Sequence, residues 1–194
     1  MLRDLVTANR SCRGFDRSRK IKREELLEMV DLARVTASAI NKQPLKYFIS
    51  NEDIITDKIT DLVSFGGLLK ELNLPYKGEE PPAYIVICHD KSIVEEQPIF
   101  MYEAGISAQT IGLKATEMGL AICIMGGFDP KKIKEELFLP DEMEVKLIIA
   151  VGKSLEKAEI KEVESGENIK YYRDNDGVQI VPKRKLEDII INRE

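Results

Sequence analysis

Histidine, cysteine and tryptophan are scarce in this chain: one histidine, three cysteines and no tryptophan among 194 residues. A catalytic relay that needs an imidazole would have to run entirely through His89. Zinc sites built on several histidines are excluded. Cys12, Cys88 and Cys123 lie far apart, with no C-x-x-C pair. An odd number of unpaired cysteines suits a reducing compartment, so a cytoplasmic protein is expected. Positive charge is not in excess either, with 29 Lys and Arg against 34 Asp and Glu, for a net charge of −5. That balance argues against nucleic acid or an anionic membrane as the main partner. No run of about 18 uncharged apolar residues is present, so no membrane-spanning helix is expected. The opening MLRDLVTANR lacks an apolar core, so no signal peptide is expected. If the chain is an enzyme, its single histidine and scattered cysteines point to a bound cofactor for its difficult chemistry.

What is present is a globular composition, 43% apolar and 32% charged. It excludes intrinsic disorder and fits one domain over 1–194. Residues 2–9 read as a short helix and 10–19 as a basic loop. Leu26, Leu27, Val30 and Ala33 place an amphipathic helix over 22–36. The small, polar stretch 37–44 is a loop, 46–51 a strand, and 53–72 mostly helix with a weak point at Gly66-Gly67. The continuous apolar run 83–89 predicts a central strand buried on both faces. A long helix over 96–119 carries Ala104, Gly105, Ala108, Gly112 and Ala115, a smooth face that another backbone can approach closely. Strands are expected at 120–125 and 145–151. Asp129 followed by Pro130 starts a helix running to about residue 137. Residues 154–182, poor in core signals, are expected to wrap the surface, and 186–191 to close the chain as a strand. Alternating elements make an α/β or α+β domain.

Several constellations could carry chemistry. Arg10, Ser11, Arg13, Arg17 and Arg19 suit an anion site; the same composition also suits a solvated loop. Ser38, Asn41 and Gln43 could read the edge of a heterocycle, though turn chemistry alone favours such residues. Gly126-Gly127, between a strand and a helix, lets backbone N–H groups approach a ligand, or forms a plain turn. The basic run 182–185 could complete a phosphate site if the fold brings it to the first loop. His89 reads as a strand-end structural residue, Cys12 as a bystander, and Cys88 and Cys123 as small core residues.

In order along the chain, these pieces resemble the nitroreductase family of FMN-dependent oxidoreductases. NRSCRGF (9–15) is similar to the family's R-R-S-x-R-x-F, and ASAINKQP (37–44) to its P-S-x-x-N-x-Q-P. QTIGLKATEMGL (109–120) is similar to Q-N-x-x-L-A-A-x-x-x-G-L, and IMGGFDPKKI (124–133) to P-x-E-G-F-D-P-x-x-[IV]. LFLPDEMEVKLIIAVG (137–152) resembles L-G-L-P followed by the A-L-G strand, and PKRKLEDI (182–189) a basic step before P-L-E-E-[VI]. Asn9 stands where the family has arginine, Ala37 where it has proline, Leu45 where an aromatic is usual and Gly126 where it has an acid. The short 52–82 region reduces the helices that cover the substrate in larger members.

The resemblance implies an α+β fold with a mostly antiparallel central sheet flanked by helices, in an intertwined homodimer with FMN at the interface. It implies that the long helix packs against its dimer mate and that the last strand joins the partner's sheet. It assigns Arg10 and Ser11 to the FMN phosphate, with Lys183 and Arg184 closing on it. It assigns Arg13 to the flavin's pyrimidine edge, where a fixed cation stabilises the negative charge of the reduced state. Ser38, Asn41 and Gln43 would run along the isoalloxazine and ribityl chain, commonly from the other subunit. The backbone N–H of Gly127, beside Gly126, would lie near N(5). The activity implied is transfer of electrons from NAD(P)H to an electron-poor acceptor, such as a nitro compound or quinone, by ping-pong kinetics. The alternatives are a flavin enzyme with another donor, or one that consumes reduced flavin, and a non-enzymatic flavin-binding module.

Overall fold

A computed structural model describes residues 1–192. Its centre is a four-stranded sheet in the order β1-β2-β4-β3, with every pair antiparallel. The strands are β1 (Leu45–Ser50), β2 (Ala83–Asp90), β3 (Ala121–Met125) and β4 (Met143–Gly152). The helices are α1 (Leu2–Ala8), α2 (Arg23–Arg34), α3 (Asp53–Leu62), α4 (Pro98–Glu117), α5 (Pro130–Glu136) and the short α6 (Leu186–Ile189). The α+β architecture is therefore as expected.

The apolar run of β2 is buried at all eight positions, because the sheet is covered on both faces. Ile85 and Ile87 meet Leu26, Met29 and Ala33 of α2 and Ala104, Ala108, Ile111 and Ala115 of α4. The alternate residues Tyr84, Val86 and Cys88 face Ile59 of α3, Ile133 of α5 and Phe15. The two-residue period of the strand thus divides one sequence into two cores. Helix α5 starts as read: the Asp129 side chain accepts the N–H of Lys131 at 3.0 Å, and Pro130 occupies the first turn.

Four expectations need correction. The smooth face of α4 does not wait for another chain, since Ala104, Ala108 and Ala115 are fully buried on the chain's own sheet and α2. A Cβ on Gly112 would lie 2.7 Å from Ile122 and 2.8 Å from Asn9, so the close approach is intramolecular. The exposed side of α4 instead carries Ile99, Met101, Tyr102 and Ile106. Helix α3 ends at Leu62 rather than running on to 72: Val63 is extended and bridges Phe128, Gly66 takes φ +61°, and only a single 3-10 turn, Lys70–Leu72, follows. Residues 154–182 do not merely wrap the surface. With 183–184 they form a second sheet of β5 (Ala158–Val163), β6 (Tyr172–Arg173) and β7 (Gln179–Arg184), in the order β5-β7-β6. Five of the six β5 residues are exposed, so backbone pairing and not an apolar pattern defines the strand. Finally, the segment read as a closing strand holds α6, with Glu187 and Asp188 in its first turn, where acids favour a helix start.

The basic loop divides. Arg17 pairs with Asp57 and Glu80 at 3.0 Å each, Arg19 with Glu25, and Lys20 with Asp53 at 2.7 Å. The hydrogen bond from Arg19 holds the Glu25 carboxyl below its usual range, and that from Lys20 does the same for Asp53. A carboxylate depressed in the folded state stabilises fully above its unfolded pKa and loses that contribution as pH falls through the folded value. Thermal stability should therefore decline once pH drops below about 4, the ordinary carboxylate range. Glu25→Gln combined with Asp53→Asn should flatten that decline in a pH series of melting temperatures; an unchanged slope would remove these pairs from the account.

Candidate flavin site

Beside β3, the N-terminal loop and the second sheet enclose a cleft of about 400 Å³. Arg10, Ser11 and Arg13 enter from the loop, Gln109 from α4, Ile122 and Ile124 from β3, and Tyr171, Gln179, Val181 and Lys183 from the C-terminal segment. The fold therefore joins the first basic step to the last, as the sequence left open. Lys183 shares the cleft with Arg10, Ser11 and Arg13, whereas Arg184 is exposed and does not line it.

Short backbone bonds place the loop. Cys12 N–H donates to Ile122 O at 2.9 Å, Phe15 N–H to Glu79 O at 2.9 Å, and Asp16 N–H to Lys153 O at 2.9 Å. Phe15, fully buried, anchors it to the core. These bonds hold Arg13 at 8% exposure, with its guanidinium 4.8 Å from the centre of the Tyr171 ring. Arg13 Nη1 donates to Ser11 O at 3.3 Å, and its backbone N–H donates to Glu156 Oε2 at 2.7 Å. Arg10 donates from Nη2 to Val6 O at 2.6 Å, and burial lowers its pKa.

Three buried polar atoms on the cleft's residues have no partner among the described residues: Arg10 Nε, Arg13 Nε and Gln179 Oε1. Buried polar groups are normally satisfied, so unpartnered donors and an acceptor around one opening mark a place for a polar ligand. The volume falls within the roughly 300–1,000 Å³ of small-molecule sites. Cationic groups beside the apolar wall of Ile122, Ile124 and Val181 suit a molecule with an anionic end and a flat apolar body. On these observations the residues fit FMN.

Other expected residues lie elsewhere in the chain. Ser38 and Gln43 line a separate cleft of about 200 Å³ with Tyr47 and Glu103. Gln43 N–H donates to Ser38 Oγ at 2.8 Å, and Gln43 Nε2 to Asn41 Oδ1 at 3.1 Å. Ile40, Asn41 and Gln43 adopt φ of 45°, 55° and 52°. Such strain concentrates where surroundings hold a loop for use; here the Glu103 carboxylate accepts Ala39 N–H at 2.6 Å. Gly126 and Gly127 are exposed, two and three residues beyond Ile124 of the cleft wall. Gly127 O accepts from Ser64 N–H at 3.0 Å.

The groups set aside in the sequence remain apart from this chemistry. His89 is fully buried at the end of β2, its Nε2 2.7 Å from Val94 O and its ring 5.3 Å from that of Phe100. Burial pushes the thiols of Cys12 and Cys88 up to about 12 and that of Cys123 to about 11, so none is a ready thiolate. Sequence reasoning did not single out Tyr171, Gln179 or Val181. They come from a polar segment with no local pattern, which folds on itself as β5, β6 and β7 and is joined to the first loop by Leu155 N–H on Gly14 O and by Glu156 on the Arg13 N–H. Gln109 was legible as the first residue of QTIGLKATEMGL.

An oxygen-insensitive NADPH nitroreductase of Helicobacter acinonychis (strain Sheeba) is 24% identical to this chain over 189 residues, covering 82% of this chain and 90% of its own. The FMN-dependent nitroreductase of Clostridium difficile R20291 superposes with a TM-score of 0.66 at 23% identity, over 80% of this chain and 88% of its own. A nitroreductase family protein of Streptococcus pneumoniae TIGR4 superposes over 100% of both chains with a TM-score of 0.71 at 17% identity. No helix among the described residues is long and apolar enough to cross a membrane. The nitroreductase family model matches residues 6–153, most of the length, and the chain belongs to that family.

Proposed function

We propose that the protein is an FMN-dependent oxidoreductase that passes electrons from NAD(P)H to an electron-poor acceptor. The observation that carries this reading is the convergence of Arg10, Ser11, Arg13 and Lys183, from opposite ends of the chain, on one cleft with unpartnered buried polar atoms. Membership of the nitroreductase family supports it. When bound, FMN would supply the two-electron chemistry that no side chain here provides.

Arg10, Ser11 and Lys183 would hold the phosphate, the two cations neutralising it and the hydroxyl donating a hydrogen bond. Arg13 would present a fixed positive charge to the flavin's edge, and Gly127 a backbone N–H. The apolar wall of Ile122, Ile124 and Val181 would keep water from the ring. Ser38, Asn41 and Gln43, remote from this cleft in one chain, would reach a flavin as part of a homodimer. Donor and acceptor would use the same opening in turn, giving ping-pong kinetics. No proton relay is required, which suits a chain whose one histidine is walled into the core.

The cofactor should be FMN and not FAD, since the sequence has no dinucleotide fingerprint for an adenosine half. Mass spectrometry of the released chromophore checks this, and finding FAD would contradict it. Arg10→Ala should weaken FMN binding by about 1.5–3 kcal/mol, the scale of one charge-assisted hydrogen bond. Its fully loaded form should keep the wild-type potential, because a phosphate contact acts on both redox states alike. A titration showing equal affinity for wild type and variant would take Arg10 out of the site.

A further inference from the structure

Arg13 is not free to choose its own direction. Its side chain lies between the turn at Gly66, where an added Cβ would sit 3.4 Å from Arg13 Cδ, and the Tyr171 ring on the other element. The Tyr171 hydroxyl accepts the Leu68 N–H at 3.1 Å, tying the ring back to that same turn. The segment carrying Tyr171 is itself fastened to the base of Arg13. One oxygen of the Glu156 carboxylate accepts the Arg13 N–H, and the other pairs with Arg173, two residues beyond Tyr171. Arg173 also lies 6.0 Å from the centre of the Tyr76 ring. Residues 154–173 thus grip Arg13 at its backbone and at its guanidinium. They lie outside the 6–153 span of the family match.

A guanidinium within about 6 Å of an aromatic centroid is attracted to the ring face without surrendering its in-plane N–H donors. That is the property needed of a group held flat while its edge stays available to a ligand. We propose that Tyr171 is the positioning residue of this cleft: its ring fixes the Arg13 guanidinium against the 66–68 turn and so sets how strongly the site favours the cofactor's reduced state. The inference rests on the flavin reading of the cleft and adds to it a determinant from the C-terminal segment. Tyr171 acts through Arg13, so its effect on redox preference must vanish when Arg13 is absent.

The test is the midpoint potential of FMN-loaded protein, measured by anaerobic titration against a reference dye. The variants are Tyr171→Leu, Tyr171→Gln and Tyr171→Phe, each made in the wild-type and Arg13→Ala backgrounds. In the wild-type background Tyr171→Leu and Tyr171→Gln should reduce the preference for reduced over oxidised FMN about tenfold, which is about 30 mV for a two-electron couple. Tyr171→Phe keeps the ring and loses only the bond to Leu68, and should retain more than half of the preference. In the Arg13→Ala background none of the three should shift the potential further. Either of Leu or Gln decides the matter if the other does not fold.

An unchanged potential in the Leu and Gln variants, with Arg13→Ala shifted, overturns the inference and leaves the flavin reading intact. The same shift persisting without Arg13 overturns it too, since Tyr171 would then act directly. Tighter FMN binding at an unchanged potential would make the ring a plug over the site, which also contradicts positioning. An Arg13→Ala potential equal to that of wild type overturns the inference, since the charge would not face the ring, and wild-type protein that takes up no FMN overturns the flavin reading and this inference together.

Discussion

Arg13→Ala should lower the two-electron potential of the bound FMN by about 30–60 mV, taking a charge-assisted hydrogen bond at about 1.5–3 kcal/mol and about 30 mV per 1.4 kcal/mol. The reason is differential stabilisation. A cation that contacts phosphate binds both redox states equally, whereas one at the ring's edge favours the state that carries the additional negative charge. Arg13 is well placed for the second role: it is 8% exposed, flanked by the Gly66 turn and Tyr171, and retains an unpartnered Nε. Low exposure limits solvent screening, so one charge there acts over its full distance. Arg13→Lys should recover part of the loss, because the charge stays while the planar fork goes. Potentiometric titration at saturating FMN separates this residue from Arg10, and identical potentials for wild type and Arg13→Ala would mean the charge does not face the ring.

Phe15→Ala should destabilise the protein by about 3–5 kcal/mol, the range for an aromatic removed from a closed core. Phe15 is fully buried among Ile59, Val86, Ile133 and Ala150. Its ring fills the space above Gly152, where a Cβ would come within 2.8 Å of Phe15 Cδ1 and of Pro82 Cδ. The backbone is pinned as well, with Phe15 N–H on Glu79 O and a bridge to Ser154. Because a domain's stability is typically only about 5–15 kcal/mol, this one side chain carries a large fraction of it. It also anchors the loop that presents Arg10, Ser11 and Arg13, so FMN affinity should fall along with stability. A fall in the urea midpoint without a change in slope is the expected signature; a loss below about 1 kcal/mol would show that the cavity collapses and the loop is held by other means.

How far the sequence could be read depended on whether the informative contact was local. The runs at 83–89 and 145–151 identified themselves as buried strands because both faces of the sheet are covered, and Asp129-Pro130 marked its helix because capping is a short-range act. The small residues of α4 correctly signalled a close approach. Spacing cannot say to what, and the structure turns that face toward the chain's own sheet. Strand β5 was invisible because Glu159, Lys161 and Glu162 lie on a solvated surface and only its backbone is paired. In the site, spacing left Arg10, Ser11, Arg13, Arg17 and Arg19 as one basic loop, and only the family resemblance singled out Arg10, Ser11 and Arg13, the three that line the cleft. Arg17 and Arg19 are taken up by Asp57, Glu80 and Glu25, partners 6 to 63 residues away. Tyr171 gave no signal because its meaning lies entirely in a contact made 158 residues from Arg13, a distance set by the return of the C-terminal segment.

The central claim is that this cleft holds FMN and lets NAD(P)H reduce it. The most direct measurement is the visible spectrum of FMN-loaded protein under anaerobic conditions as NADH or NADPH is added. The account predicts that the flavin band bleaches with one of the two nicotinamides and returns when an electron-poor acceptor such as a quinone follows. A protein that binds FMN and keeps its yellow band under both nicotinamides would contradict the proposed activity, and one that takes up no FMN would contradict the site itself.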